Sequence, residues 1–335
     1  MMRAVVLVGG FGTRLRPLTY SVPKPMLTVG HVAIIERLVA NLVRGGVTDV
    51  TLALGFKPEP FLEAFPDGTC AGATLHYAVE PEPLDTAGAI RFAADATGID
   101  DTFVVANGDV LTDLDIAELV RFHREQGADA TLHLIAVEDP SAFGVVALDE
   151  RGRIERFVEK PAPGTAPSNL INAGTYVLEP SVLARIPAGQ KVSIERITFP
   201  EIVAEGAIFG MATDDYWIDT GKPDLYLAAN LDLVTGRRPR HRCEPVAEGA
   251  DVHPDAVVVD SVVDAGATVH AGARIERSVI LAGAVVEQGA VVIDSVAMGH
   301  VRSGAAVHDS VIGAGAVVEA AEELRSVRRP DPDQA

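Results

Sequence analysis

"GGFGTRLRPLTYSVPKPM", residues 9–26, follows the apolar run "AVVLV" and brings together Gly9, Gly10 and Gly12, Arg14 and Arg16, and a Lys24 flanked by Pro23 and Pro25. Glycines after a strand let the backbone approach a ligand closely and turn its N–H groups toward anionic oxygens. The spacing is not the dinucleotide G-x-G-x-x-G, because Arg14 and Leu15 stand where a third glycine is needed, and it is not the P-loop G-x-x-x-x-G-K-[ST]. Charge sharpens the reading: Arg14 lies just past the glycines and Lys24 is presented between two prolines, two cations suited to a triphosphate. The bland alternative is an arginine and a lysine on a solvated loop.

Outward from this stretch, up to about Gly236, short β-branched runs alternate with helix-length amphipathic segments: "AVVLV" then 32–44, "VTLAL" then 58–64, "TLHYAV" then 86–96, "FVVANGD" then 115–126, and "ATLHLIAV". The alternation predicts a Rossmann-like α/β domain, a mainly parallel sheet with helices on both faces. Ligands in such sheets sit beyond the carboxyl ends of the strands, where the strand order reverses. Both "GGFG" and "NGD" fall at such ends.

The stretch "TGRRPRHRCEP", 235–245, breaks the pattern with prolines and positive charge and reads as a linker. Beyond it aliphatics recur every five or six positions, from Val246, Val252 and Val258 to Val286 and Val292, and Ser-Val returns at Ser261, Ser278, Ser295 and Ser310, with spacings of 17, 17 and 15 residues. A hexapeptide period with small residues between aliphatics is what a three-sided parallel β-helix needs; a β-sandwich with Gly-rich turns alternates without a fixed period. This region resembles the left-handed β-helix of hexapeptide-repeat proteins. The expected organisation is an α/β domain over 1–240, a β-helix over 241–322 and a disordered tail over 323–335, ending in "SVRRPDPDQA".

A chain of 335 residues with 48% hydrophobic and 22% charged residues fits an ordinary globular protein of two domains. The net charge of −19 argues against nucleic acid or an anionic membrane as partner, so an anionic substrate must be caught locally. Cys70 and Cys243 make neither a disulfide framework nor a zinc site. With no signal-peptide pattern and no apolar window of about 18 residues, a cytoplasmic protein is expected.

The opening stretch resembles the signature of the sugar-1-phosphate nucleotidyltransferases, and "EPLDTAGAI" (82–90), "NGDV" (107–110), "FGVV" (143–146), "FVEKP" (157–161), "INAGTYVL" (171–178), "SIERITFPEI" (193–202) and "YWIDTGKPDLY" (216–226) resemble later blocks of the family in order. Within it, "INAG-Y" and the appended repeats look most like mannose-1-phosphate guanylyltransferases, with glucose-1-phosphate thymidylyl-, uridylyl- and adenylyltransferases as close alternatives. The resemblance implies attack of a sugar-1-phosphate oxygen on the α-phosphorus of a nucleoside triphosphate, with pyrophosphate leaving. Catalysis of that kind rests on positioning and charge neutralisation.

Carried over by motif, Arg14 and Lys24 hold the triphosphate, and Asp109 and Asp219 bind Mg²⁺, whose hard character suits carboxylate oxygens. Leu7, Gly9, Gly10, Gly12, Thr13, Glu80, Pro83, Asp85 and Gly108 line the nucleotide, with Glu80 a candidate to accept N1–H and the 2-amino group of guanine. Glu159 and Lys160 receive the sugar phosphate, with Gly144, Asn172, Gly174 and Glu195 in the same pocket. Outside the motif an aspartate at a strand end is often only a turn or helix cap, as Asp113 and Asp115 suggest, and an adjacent Glu-Lys is often only an exposed pair. Two departures from the family pattern stand out: Asp85 replaces the usual glycine of "PLGTAG", and Ala33 replaces the usual proline.

Other classes stay in view. Left-handed β-helices also form acyltransferases with a histidine base, and His253, His270, His300 and His308 lie in the repeats, but no inserted loop accompanies them. Non-catalytic sensing subunits of the same fold lose a metal aspartate or a motif cation; here Arg14, Lys24, Asp109 and Asp219 are all present. His123 in "LVRFHREQG" reads as a surface residue. The β-helix is expected to build a homo-oligomer through apolar coil faces, so that a chain cut near Arg240 keeps its turnover.

Overall fold

Strand Met2–Leu7 lies inside a ten-stranded sheet in this computed structural model, which describes residues 2–10, 12–55 and 58–332. Its neighbours on the two sides, Val47–Leu54 and Phe103–Asn107, both run parallel to it, and Ala73–Val79 extends the parallel run past Val47–Leu54. Leu7 is paired with Asn107, so the strand that opens the chain and the one that precedes "GDV" end side by side. That is where a doubly wound order reverses and ligands bind.

The sheet is mixed rather than parallel throughout. Leu170–Leu178 runs antiparallel to both Phe103–Asn107 and Ala130–Ala136, and Gly144–Leu148 forms an antiparallel pair with Ile154–Glu159. Helices Ile34–Arg44, Glu59–Ala64, Asp85–Thr97 and Ile116–Gln126 stand within two residues of where the periodicity put them. In the first, Ile34, Ile35, Leu38, Val39 and Leu42 recur at helical spacing and are buried. Asp115 caps the last of these helices, accepting Glu118 N–H at 3.1 Å, while Gly127 closes it in the left-handed conformation. His123 is a correction: it faces inward from that helix, 1% exposed, between Thr131 Oγ1 at 2.9 Å and Glu179 Oε1 at 3.0 Å, and burial lowers its pKa.

Contacts divide the chain into two units that do not follow chain order: Met1–Gly10 with Ile35–Trp217, and Phe11–Ile34 with Ile218–Ala335. The second unit contains the signature loop, a hairpin pairing Thr28–Val29 with Val32–Ala33 across Gly30 and His31, helix Pro223–Val234, and the repeats. Gly30 and His31 both have positive φ, as a two-residue hairpin turn of the primed type requires.

The repeats fold into three five-stranded parallel sheets, consistent with the left-handed β-helix. Val263, Ile280, Ala297 and Ile312 stack inside it. The Ser-Val repeat has a structural cause. Ser278 N–H donates to Ser261 Oγ, Ser295 N–H to Ser278 Oγ, Ser310 N–H to Ser295 Oγ and Val327 N–H to Ser310 Oγ, over separations of 17, 17, 15 and 17 residues. A buried column of hydroxyls thus satisfies one backbone donor per coil. The short third step falls at Gly299, where a Cβ would lie 2.4 Å from Ala316 O, so the cut-off corner has no room for a side chain. The expected disordered tail is also corrected. Glu323–Arg325 pairs with Ala306–His308, and Arg328–Arg329 with Val311–Ile312, adding a coil held by Arg329 and Glu322; residues 333–335 lie outside those described. No described helix is long and apolar enough to cross a membrane.

Candidate active site

In the second unit the signature loop folds into three 3-10 turns, Thr13–Leu15, Leu18–Tyr20 and Lys24–Met26. Gly12, at φ +56, opens the first, and Thr19 Oγ1 donates to its carbonyl at 2.7 Å. Arg16 stacks over the Tyr20 ring at 5.3 Å. Arg14 points elsewhere: a Cβ built on Gly221 of "WIDTG" would lie 3.1 Å from Arg14 Nη2, 3.1 Å from Lys24 Nζ and 2.8 Å from Asp219 Oδ1. Asp219 Oδ1 accepts Gly221 N–H at 2.8 Å and pairs with Lys24 Nζ at 3.3 Å. Lys24 is 7% exposed, so its ammonium is a held charge rather than a mobile surface one. Three of the expected residues therefore meet at one backbone position that the sequence reading passed over.

In the first unit, Gly9 and Gly10 follow the first strand, and Gly108 N–H donates to Leu7 O at 2.9 Å. A Cβ on Gly108 would sit 2.8 Å from that same oxygen, so only glycine allows Asp109 to leave the strand end this close to Leu7. Glu80 is 8% exposed, and burial raises its pKa against the opposing bond from Leu84 N–H to Oε2 at 2.8 Å. Its other oxygen, Oε1, is 3.8 Å from where a Gly9 side chain would begin. Pro83 is exposed just ahead of helix Asp85–Thr97. Asp85 adopts φ +60, which explains why glycine is usual there: the position requires the left-handed region, and aspartate is among the few residues that tolerate it.

Two of the residues expected to meet the sugar, Asn172 and Gly174, form a bulge. Register along Leu170–Leu178 shifts between Asn172 and Tyr176, Gly174 sits there at φ +80, and its N–H donates to Asn172 Oδ1 at 3.0 Å. Trp217 Nε1 donates to Ala173 O at 2.9 Å and holds the bulge from its side. Asn172 Nδ2 donates to Tyr176 OH at 2.9 Å. Burial and then the charge of Glu195 raise the Tyr176 pKa, against the hydrogen bond with Asn172, and the charges of Glu159 and Asp109 add to the rise. Glu195 Oε2 accepts from Thr86 Oγ1 at 2.7 Å and Ser193 Oγ at 2.8 Å. Burial and then Glu195 raise the Glu159 pKa, while Lys160, 3.7 Å away, opposes. Lys160 itself has φ +48, and a Cβ on Gly144 would come within 3.0 Å of Glu159 Oε2.

Tyr176, Thr86, Ser193 and Gly221 lie inside the quoted motifs, yet nothing in their residue type marks them as supports. Two basic groups with a carboxylate beside Gly221 supply the fixed positive charge that phosphoryl transfer needs. Residues 3–236 match the family model described as Nucleotidyl transferase. The chain belongs to that family. This nucleotidyl transferase is 43% identical over 268 residues to a mannose-1-phosphate guanylyltransferase of Mycobacterium tuberculosis (strain ATCC 25618 / H37Rv), a match covering 78% of the chain and 74% of the relative. It is 38% identical over 264 residues to a mannose-1-phosphate guanyltransferase of Aspergillus oryzae (strain ATCC 42149 / RIB 40), covering 76% and 72%. Among solved structures, HddC from Yersinia pseudotuberculosis superposes with a TM-score of 0.59 at 28% identity, over 69% of this chain and 98% of that one.

Proposed function

We propose that this nucleotidyl transferase moves the guanylyl group of GTP onto mannose-1-phosphate, giving GDP-mannose and releasing pyrophosphate. The meeting of Arg14, Lys24 and Asp219 at Gly221 carries the triphosphate half of this reading; the names of the relatives carry the base and the sugar. The sugar phosphate oxygen attacks the α-phosphorus and pyrophosphate departs, with no covalent bond to the protein, so the side chains position and neutralise.

Arg14, with its planar fork of donors, takes the phosphate oxygens, and Lys24 adds a point charge whose place Asp219 fixes. Glu159 and Asn172 accept and donate hydrogen bonds to sugar hydroxyls, Lys160 meets the sugar phosphate, and Glu195 holds Thr86 and Ser193 in the pocket wall. Glu80 receives the guanine edge through Oε1 and the remaining lone pair of Oε2, a pairing thymine and adenine cannot copy.

Bound Mg²⁺ supplies neutralisation of charge on the phosphoryl oxygens. Asp109 and Asp219 are the donors in this reading, Asp219 through Oδ2, because Oδ1 is engaged by Gly221 and Lys24. Among the described residues no three His, Cys, Asp or Glu side chains form a ready cage. Two hard oxygen donors suit an ion that keeps water and substrate oxygens in its shell. The reading also carries a cytoplasmic enzyme and a homo-oligomer, the latter supported by exposed Val257 and Val259 on one β-helix face.

Pyrophosphate release over a grid of GTP, ATP, UTP and dTTP against mannose- and glucose-1-phosphate tests the proposal, with GTP and mannose-1-phosphate expected to be the fastest pair. Silence across the grid rejects the enzyme reading. A preference for dTTP, UTP or ATP with glucose-1-phosphate keeps the chemistry and rejects the substrates.

A further inference from the structure

Within the second unit, residues 14–31 descend one side of the β-helix level by level. At the first coil, Asp264, 5% exposed, accepts from Thr28 Oγ1 and lies 2.7 Å from His31 Nδ1, whose Nε2 lies 2.7 Å from Glu244 O. Two coils further on, Ser21 Oγ reaches Met298 Sδ at 3.5 Å. At the next, Gly313 is pressed against Pro17, with a Cβ on it lying 2.7 Å from Pro17 Cβ. At the last, Arg328 Nη1 donates to Arg14 O at 3.1 Å.

These contacts share one sheet. Backbone bonds run from Asp264 N–H to Ile280 O, Leu281 N–H to Ala297 O, Met298 N–H to Ile312 O and Gly313 N–H to Arg329 O, so positions 264, 281, 298 and 313 form a single column. In the adjoining column Val262, Val279, Val296 and Val311 pair in register, and the fifth member is Arg328. The one break in a valine column is the residue that reaches the loop. The carbonyls of Gly12 and Thr13 are satisfied inside the first 3-10 turn by Leu15 and Arg16 N–H; that of Arg14 is met from outside it.

We propose that the β-helix is the seat of the triphosphate loop, with Arg328 and Gly313 acting as positioning residues for Arg14. The inference rests on reading that loop as the triphosphate site. It also opposes the expectation that a chain cut near Arg240 keeps its turnover, since the cut removes every support named above.

The test uses the full chain and its R328A, R328K and G313A variants, with R302A as a control. Arg302 follows His300–Val301, a strand of a different sheet, and pairs with Glu319 at 2.6 Å. Hydrogen exchange over 12–31 is expected to speed up in R328A and G313A, with other segments and the melting temperature held near the parent's. KM for the triphosphate should rise about 3–10-fold while KM for the sugar phosphate stays put, the pattern of a lost ground-state contact to one substrate. R328K, which still offers a donor, should recover most of both effects, and R302A should show neither. Unchanged exchange over 12–31 in R328A and G313A overturns the inference, as does faster exchange spread over the whole chain. Should the parent release no pyrophosphate with any pair, the functional reading falls, and the exchange data alone decide whether the β-helix seats the loop.

Discussion

The two units handle irregularity in different ways. Around Asn172 and Asp109 several of the expected site positions are backbone exceptions: Gly108 against Leu7 O, Gly174 at φ +80 in a bulge, Asp85 at φ +60, Lys160 at φ +48. Along the β-helix the backbone repeats except for the shortened corner at Gly299, and most exceptions are substitutions in a column: Asp264 and Gly313 at a position filled by Leu281 and Met298 on other coils, and Arg328 below four valines. In a sheet whose strands are all unlike, close approach to a ligand has to be built from strained or side-chain-free backbone. In a stack whose coils are alike, any side chain that departs from the period has been released from the shared packing demand, and this is where contacts of another kind can be placed.

The sharpest test of this contrast removes charge where the loop and "WIDTG" meet. Asp219→Asn keeps an acceptor for Gly221 N–H but removes the negative charge opposite Lys24, and pyrophosphate release is expected to fall about 100–1,000-fold with the fold intact. Near-normal turnover at saturating Mg²⁺ would break the assignment.

Acid separates the units next. His133 is fully buried, its Nε2 is 2.8 Å from Thr213 Oγ1, and burial holds its pKa at about 4. Because the folded pKa lies below the unfolded value of about 6.5, this histidine costs nothing well above pH 6.5. Its cost grows as pH falls, reaching about 3 kcal/mol at pH 4. Glu276, Glu287 and Glu322 of the repeats have lowered pKa values, so their contributions are kept above 4.5 and fade only as pH falls further. Exchange at pH 5 should therefore loosen the strand Ala130–Ala136 before the coils. The raised Glu80 and Glu159 act in the opposite sense, and His133→Leu isolates the histidine: it should flatten the loss between pH 6.5 and 4.

A smaller effect is expected inside the serine column. Ser278→Ala leaves Ser295 N–H without its acceptor in a buried stack and should cost about 1–3 kcal/mol in a denaturant titration, with KM values unchanged. A cost below a few tenths would mean that the column is decoration. The least effect, and of opposite sign, belongs to Asp85→Gly. Relief of a positive φ in a side-chain-bearing residue should raise stability by about 0.5–1 kcal/mol.

Helix and strand order was legible as far as Ala136 because those elements bury faces with the right period, and the β-helix because its period is long and nearly uniform; the antiparallel strands after Ala136 were legible only as motifs. Asn172 and Gly174 were legible as types inside a motif. Their geometry was not, since a bulge depends on how the neighbouring strand pairs, which no local pattern encodes. His123 was misjudged for a similar reason: the charged residues around it in "LVRFHREQG" describe a solvated helix, whereas Thr131 and Glu179, which meet the ring, come from other strands and turns. The grouping of 11–34 with the repeats was hidden entirely, because Arg14 and Arg328 are 314 residues apart in sequence. A valine period broken by one arginine was the available signal.

The level-by-level descent of the loop makes the β-helix a ruler. Four steps of about 4.8 Å separate the coil of Asp264 from that of Arg328, roughly 19 Å in all, and the loop that spans them has a fixed number of residues. Duplicating a 17-residue coil between these two levels, a change the serine column would accept without complaint, would carry Arg328 one full step past Arg14. The same duplication placed after Arg329 would disturb nothing on this side. A stack built this way is free to gain length past Arg329, but not to lose the coil that carries Arg328.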